Sequence, residues 1–152
     1  MVPLEEISPH MQHAVIAVED RRFYEHGGVD PKGLVRAFAS NAAGGATQGG
    51  STLTQQYVKN ALVGDEFSLT RKAKELVISA KMAREWSKDE ILEAYLNTIY
   101  FGRNAYGISA ASKAYFNKDV SQLTPEEGAV LAATIQAPSS LDPWTNRNNA
   151  EY

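Results

Sequence analysis

The sequence has no cysteine, which excludes a disulfide framework, thiolate metal ligands and a cysteine nucleophile. It leaves the compartment open. No apolar run approaches the ~18 residues that can span a bilayer, and no secretory leader pattern is present. Charge of one sign is also lacking: 15 basic against 18 acidic residues leave a net charge of -3. Nothing global therefore attracts nucleic acid, and any basic function must come from a local cluster. Sustained apolar/polar alternation is missing, so strands are not expected. There is no internal repeat, and no serine sits in a Gly-x-Ser-x-Gly context, which argues against a serine hydrolase.

What is present is a chain of 152 residues, 43% hydrophobic, enough for one domain with a real core. It opens Met-Val-Pro almost directly into a helix and ends Asn-Ala-Glu-Tyr without a closing signal, so the expectation is a single domain over 1–152 cut from something longer. Helix signals recur. Ser8-Pro9 and Asp30-Pro31 each pair a capping residue with proline at the first helical position. Thr52 with Gln55, Ser87 with Glu90, and Thr124 with Glu127 have capping-box spacing. Gly44-Gly45 and Pro138 are stops. The expected fold is all-α, about seven helices with short loops. The Gly/Ala/Ser stretch 43–51 reads as a mobile segment, and 138–152 as extended coil.

Three stretches could carry chemistry. EDRRFYEHGG, residues 19–28, places Glu19 in the last turn of the helix opened at Ser8-Pro9. There the helix dipole disfavours a negative charge, and burial beside Phe23 and Tyr24 would push the same way. Such a carboxylate can act as a general base. The competing reading pairs Glu19 and Asp20 with Arg21 and Arg22 on a wet surface. In GGSTLTQQYVKN, residues 49–60, a glycine pair feeds a helix start rich in hydroxyls, which suits an anion. Gln56 and Lys59 share a face, as do Gln55 and Lys59. The competing reading is a well-capped amphipathic helix.

The third stretch begins RKAKE at residue 71. Arg71, Lys72 and Lys74 surround Glu75, either as a phosphate-holding cluster with an acid set into it or as a surface Arg71–Glu75 pair worth about 0.3–0.5 kcal/mol. Leu76, Val77, Ala80 and Ala83 are expected to form that helix's apolar face, with the charges projecting elsewhere. His10 and His13 read as surface residues and His26 as a turn holder, so no metal site is assigned.

Together these stretches resemble the peptidoglycan glycosyltransferase family, the transglycosylase domains of class A penicillin-binding proteins and their monofunctional relatives. EDRRFYEHGGVD matches the first family motif, GGSTLTQQYVKN the second and RKAKE the third. KDEILEAYLNTIYFG with AYGISAASKAYF matches the fourth, and LTPEEGAVLAATIQAPS the fifth. The five occur in family order from about Val2 to Pro143. The resemblance implies a lysozyme-like helical domain with a small mobile membrane-proximal lobe. It implies polymerisation of lipid II into β-1,4 glycan strands at the extracytoplasmic face of the bacterial cytoplasmic membrane.

On that resemblance Glu19 is the general base for the acceptor 4-hydroxyl, and Glu75 is the second catalytic carboxylate. Ser51, Gln55, Gln56, Lys59, Asn60, Arg71, Lys72, Lys74 and Tyr100 are substrate-binding positions. An α-linked lipid pyrophosphate giving a β product requires inversion. That needs a base on the nucleophile's side and positive charge near the departing pyrophosphate. Lys59, Arg71, Lys72 and Lys74 can supply the charge, with Mg²⁺ or Mn²⁺ as an optional companion and no organic cofactor. The implied partners are lipid II, the growing glycan strand, the membrane surface and phosphoglycolipid inhibitors, with no nucleic acid. Leu34, Val35 and Phe38 either dip into the bilayer interface or pack on the domain's own core.

Several departures from the family pattern stand out. Phe67 lies near a place where a basic residue is often found. The membrane anchor, any transpeptidase domain and the family's last helices are expected to lie outside this soluble fragment. Two further readings remain open: a lysozyme-like peptidoglycan hydrolase, which the paired glutamates alone would permit, and a non-catalytic module that binds lipid II.

Overall fold

A computed structural model describes residues 1–44, 49–64 and 68–144. Seven α-helices are formed among them: α1 Pro9–Glu19, α2 Pro31–Ala42, α3 Leu53–Val58, α4 Leu69–Glu85, α5 Lys88–Thr98, α6 Ile108–Phe116 and α7 Pro125–Gln136. Short 3₁₀ turns occupy Leu4–Glu6 and Val120–Gln122, and a π-helical segment, Lys59–Val63, continues α3. The only extended pairing among the described residues is a single bridge between Tyr100 and Tyr106. The all-α expectation holds.

The helix starts lie where the caps stand. Thr52 Oγ1 accepts the Gln55 N–H at 3.1 Å while Gln55 Oε1 accepts the Thr52 N–H at 2.9 Å, a closed capping box. Thr124 and Glu127 repeat it ahead of α7, and Ser87 and Glu90 ahead of α5. Ser68, which was not anticipated, caps α4 by accepting the Arg71 N–H at 3.0 Å. Of the stretch expected to be mobile, residues 45–48 lie outside the described residues, as do Phe67 and residues 145–152 of the terminal coil.

The chain divides into two compact units, Met1–Val18 with Leu92–Tyr152, and Glu19–Ile91. In the first unit Met11 and Val15 of α1, Leu92, Tyr95 and Leu96 of α5, Ile108 of α6 and Leu131 of α7 are fully enclosed. Side chains of this size contribute about 1.5–3 kcal/mol each on burial. Gly128 lets α7 approach α1, since a Cβ there would stand 3.2 Å from Met11 Cα. The Ser8 hydroxyl donates to the Leu123 carbonyl, and the Asn97 side chain brackets Val2, accepting its N–H and donating to its carbonyl. Arg103 forms a two-pronged ion pair with Asp142 while lying over the rings of Tyr115 and Trp144.

In the second unit the turn between α1 and α2 packs on α4. Gly28 takes a φ of 84°, and a Cβ there would come within 2.6 Å of the Ser79 carbonyl oxygen, so only glycine fits. The inward face of α4 differs from the expected one. It is Glu75, Ser79 and Met82, whereas Val77 is 70% exposed. Hydrophobic spacing failed here because this unit buries polar groups, a feature that apolar periodicity does not detect.

Candidate active site

Glu19 is the last residue of α1, as expected, and it belongs to the second unit. Gln56, from the first turns of α3, donates its amide Nε2–H to Glu19 Oε2 at 2.9 Å. The capping box fixes the start of α3, and Gln56 lies one position beyond its closing residue, so the cap sets where this amide points.

The wet-surface reading of residues 19–22 is overturned for Asp20. That carboxylate is buried and lies 2.7 and 2.9 Å from His26 Nε2, and it also accepts the Leu53 N–H at 3.1 Å. Arg22 instead reaches Glu25 and, at 2.7 Å, Asp30. Burial opposes the Asp30 charge. The backbone at the start of α2 and the Arg22 guanidinium outweigh it and hold the carboxyl below its ordinary range. His26 is the turn holder it was expected to be. Its Nδ1 accepts the Gly28 N–H, which places the ring proton on Nε2, directed at Asp20.

The acid of the third motif is buried. Glu75 Oε1 receives Lys72 Nζ at 2.6 Å, and Lys72 Nζ also reaches Ser51 Oγ at 3.3 Å. Arg71 stands 3.6 Å from Glu75 Oε2. The surface-pair reading of Arg71–Glu75 is thus corrected: the nearer partner is Lys72, and the carboxylate is 2% exposed. A buried carboxylate needs such partners, because stranding it without them is costly. Four buried atoms of this unit have no hydrogen-bond partner among the described residues: Thr54 Oγ1, Gln55 Nε2, Arg71 Nε and Glu75 Oε2. Buried polar groups are normally satisfied by protein, water or ligand, so such atoms are where a further partner would be sought.

The remaining predicted positions are placed as follows. Lys59 is half-buried at the head of the π segment, which Gly64 closes by donating its N–H to the Lys59 carbonyl at 2.9 Å. Asn60 and Lys74 are exposed. Tyr100 belongs to the first unit, its ring 4.7 Å from that of Tyr106. His10 and His13 are exposed. Among the described residues no group of three His, Asp or Glu side chains gathers to ligate a metal, and Glu75 is already engaged by cations. Sequence reasoning missed the burial of Asp20, whose partners His26 and Leu53 come from other elements and leave no spacing signal.

The transglycosylase family profile matches residues 1–152. The chain belongs to the transglycosylase family. Penicillin-binding protein 1A of Mycolicibacterium smegmatis is 63% identical over 98% of this chain, and penicillin-binding protein 1F of Bacillus subtilis is 50% identical over 93%. Penicillin-binding protein 1A of Escherichia coli is 49% identical over 98%. The aligned part is 18–20% of each relative's own length, so this transglycosylase chain spans about a fifth of the proteins it matches. The peptidoglycan glycosyltransferase resemblance drawn from the five motifs is established at the level of family.

Proposed function

We propose that this chain polymerises lipid II by inverting displacement. The acceptor sugar's 4-hydroxyl attacks the donor's anomeric carbon, the bond from that carbon to the lipid pyrophosphate breaks, and Glu19 takes the hydroxyl proton. The observation that carries this reading is the Gln56–Glu19 hydrogen bond of 2.9 Å, in the same unit as the Ser51–Lys72–Glu75–Arg71 cluster. One group of residues suits a base, the other a departing anion. A cation preorganised near developing phosphate charge lowers the barrier without reorganising during the reaction. Lys72 and Arg71 fill that role, with Glu75 holding both in place. Lys59, Lys74, Asn60, Gln55 and Tyr100 serve substrate binding. Mg²⁺ or Mn²⁺ enters only as a companion of the substrate, ligated mainly by phosphate oxygens. Phosphoglycolipid inhibitors would compete for the same cations.

A hydrolase releasing a neutral sugar has no use for the cationic set, and the family match lends that reading no support. The family match lends no support to a non-catalytic module either. The test is incubation of the chain with labelled lipid II in detergent, resolving products by length. A polymer ladder is expected. Soluble muropeptides released from purified cell wall, with no polymer from lipid II, would contradict the proposal.

Membrane contact belongs to the same reading. No helix among the described residues is long and apolar enough to cross a membrane. On α2, however, Leu34, Val35 and Phe38 are 39%, 70% and 78% exposed, while the buried positions are Gly33 and Ala37. The exposure of Val35 and Phe38 favours this reading over packing on the domain's core, with Leu34 the least exposed of the three. An exposed apolar face of this kind suits the bilayer interface at the extracytoplasmic surface, where the lipid-linked substrate resides. Phe38→Asp should reduce co-sedimentation with anionic lipid vesicles, and unchanged binding would remove α2 from the contact.

A further inference from the structure

We propose that Lys88 is a positioning residue for Glu19, acting through the turn that joins α1 to α2; this rests on the glycosyltransferase reading above. Lys88 is the first residue of α5. A cation there meets the positive end of the helix dipole, so local energetics disfavour it. Its contacts explain why it is present. Nζ donates to the His26 carbonyl at 2.6 Å and lies 4.7 Å from the ring centroid of Phe23, which is fully buried. Burial lowers the ammonium's pKa, against the pull of the Asp20 carboxylate.

These contacts fasten the His26 end of one hydrogen-bonded chain. His26 directs Nε2–H to Asp20, which directly follows Glu19 in sequence. Asp20 accepts the Leu53 N–H at the start of α3, and three residues later Gln56 reaches Glu19. The neighbouring Tyr24 hydroxyl donates to Asp89, a second tie from the same turn to α5. Glu19 is thus set from two directions, through the backbone by Asp20 and through its carboxylate by Gln56. The first route runs through the turn that Lys88 holds, and the second is tied to it where Asp20 accepts the Leu53 N–H. A base displaced by a fraction of an ångström loses rate without losing substrate affinity.

The test compares Lys88→Met, which keeps the stem but removes charge and donor, with Lys88→Arg, which keeps both. For Lys88→Met we expect kcat for polymerisation to fall about tenfold with KM for lipid II within about twofold, and Lys88→Arg to recover most of the rate. In Lys88→Met the Gly28 and Leu53 amide protons should also exchange about tenfold faster, while those of α7 stay unchanged. A folded Lys88→Met variant with wild-type kcat, or with unaltered exchange at Gly28 and Leu53, overturns the proposal. So does a loss confined to KM, or an equal loss in both variants. Should Lys88→Met fail to fold, Lys88→Gln carries the same comparison. A wild-type chain that makes no polymer defeats the glycosyltransferase reading instead, and amide exchange still decides whether Lys88 holds the turn.

Discussion

Among the described residues, the first unit encloses mainly apolar side chains, such as Met11, Val15, Tyr95, Leu96, Phe101 and Leu131, with only Ser8, Ser112, Thr134 and Asp142 as buried polar ones. The second encloses Asp20, His26, Asp30, Thr52, Thr54, Gln55, Glu75 and Ser79, which outnumber its buried apolar residues Phe23, Ala37, Leu53, Val58, Met82 and Ile91. Burying polar groups costs free energy unless they are hydrogen-bonded, so a polar interior is retained where its geometry is used. The first unit has the composition of a support. The second holds polar side chains in set positions, and among the described residues Thr54 Oγ1, Gln55 Nε2, Arg71 Nε and Glu75 Oε2 in it have no hydrogen-bond partner.

The same local device appears in both units, which makes the contrast testable. The capping boxes of α3 and α7 match in pattern. Around α7, Lys118 satisfies Glu127 at 2.7 Å. Around α3, Gln55 Nε2 and Thr54 Oγ1 stay unpartnered, and Thr52 Oγ1 also donates to the Gly28 carbonyl at 2.6 Å.

The substitutions that sharpen or break this contrast are ordered by effect. Glu19→Gln removes the base and should lower polymerisation by about 10³-fold. Its melting temperature should stay near wild type, as circular dichroism can check. Glu75→Gln leaves Lys72 and Arg71 without their counter-ion and should cost about 10²-fold in kcat, less completely than Glu19→Gln, because it orders cations rather than moving the proton. A wild-type rate in that variant would reduce Glu75 to a structural ion pair.

Thr52→Ala and Thr124→Ala should each cost about 1 kcal/mol, the usual value of a lost cap. Only Thr52→Ala should also lower the rate per folded molecule, since its cap aims Gln56 at Glu19. Equal activity in the two variants would break the division of labour between the units. The smallest effect concerns acid. The Lys118 ammonium, followed by the Thr124 backbone, holds the Glu127 carboxyl below its ordinary range. Because the folded value is below the unfolded one, this stabilisation is present above the ordinary glutamate pKa and is lost as pH falls through the folded value. Glu127→Gln should therefore flatten the acid limb of melting temperature against pH, without altering kcat near neutrality.

Much of this was legible in the sequence because caps are local. Ser8-Pro9, Asp30-Pro31, Thr52 with Gln55, Ser87 with Glu90, and Thr124 with Glu127 all mark real helix starts. Glu19 and Gln56 stand out because the motifs quote them, and the structure brings them within hydrogen-bond distance. Other features were hidden for physical reasons. The face of α4 was misjudged because Glu75 and Ser79 point inward while Val77 points out. Asp20 looked like a surface charge because its partners, His26 and Leu53, come from other parts of the fold. The π segment at Lys59–Val63 has no breaker inside it, and only Gly64 marks its end.

The central claim is that Glu19 takes the acceptor's proton in a site already built to bind the substrate. The most direct measurement is single-turnover extension of labelled lipid II by the wild-type chain and by Glu19→Gln, with lipid II binding measured on both. The account predicts binding within about threefold of wild type and chain extension slowed about 10³-fold in the variant, as expected for an interaction made only in the transition state. Extension at the wild-type rate by Glu19→Gln would contradict it.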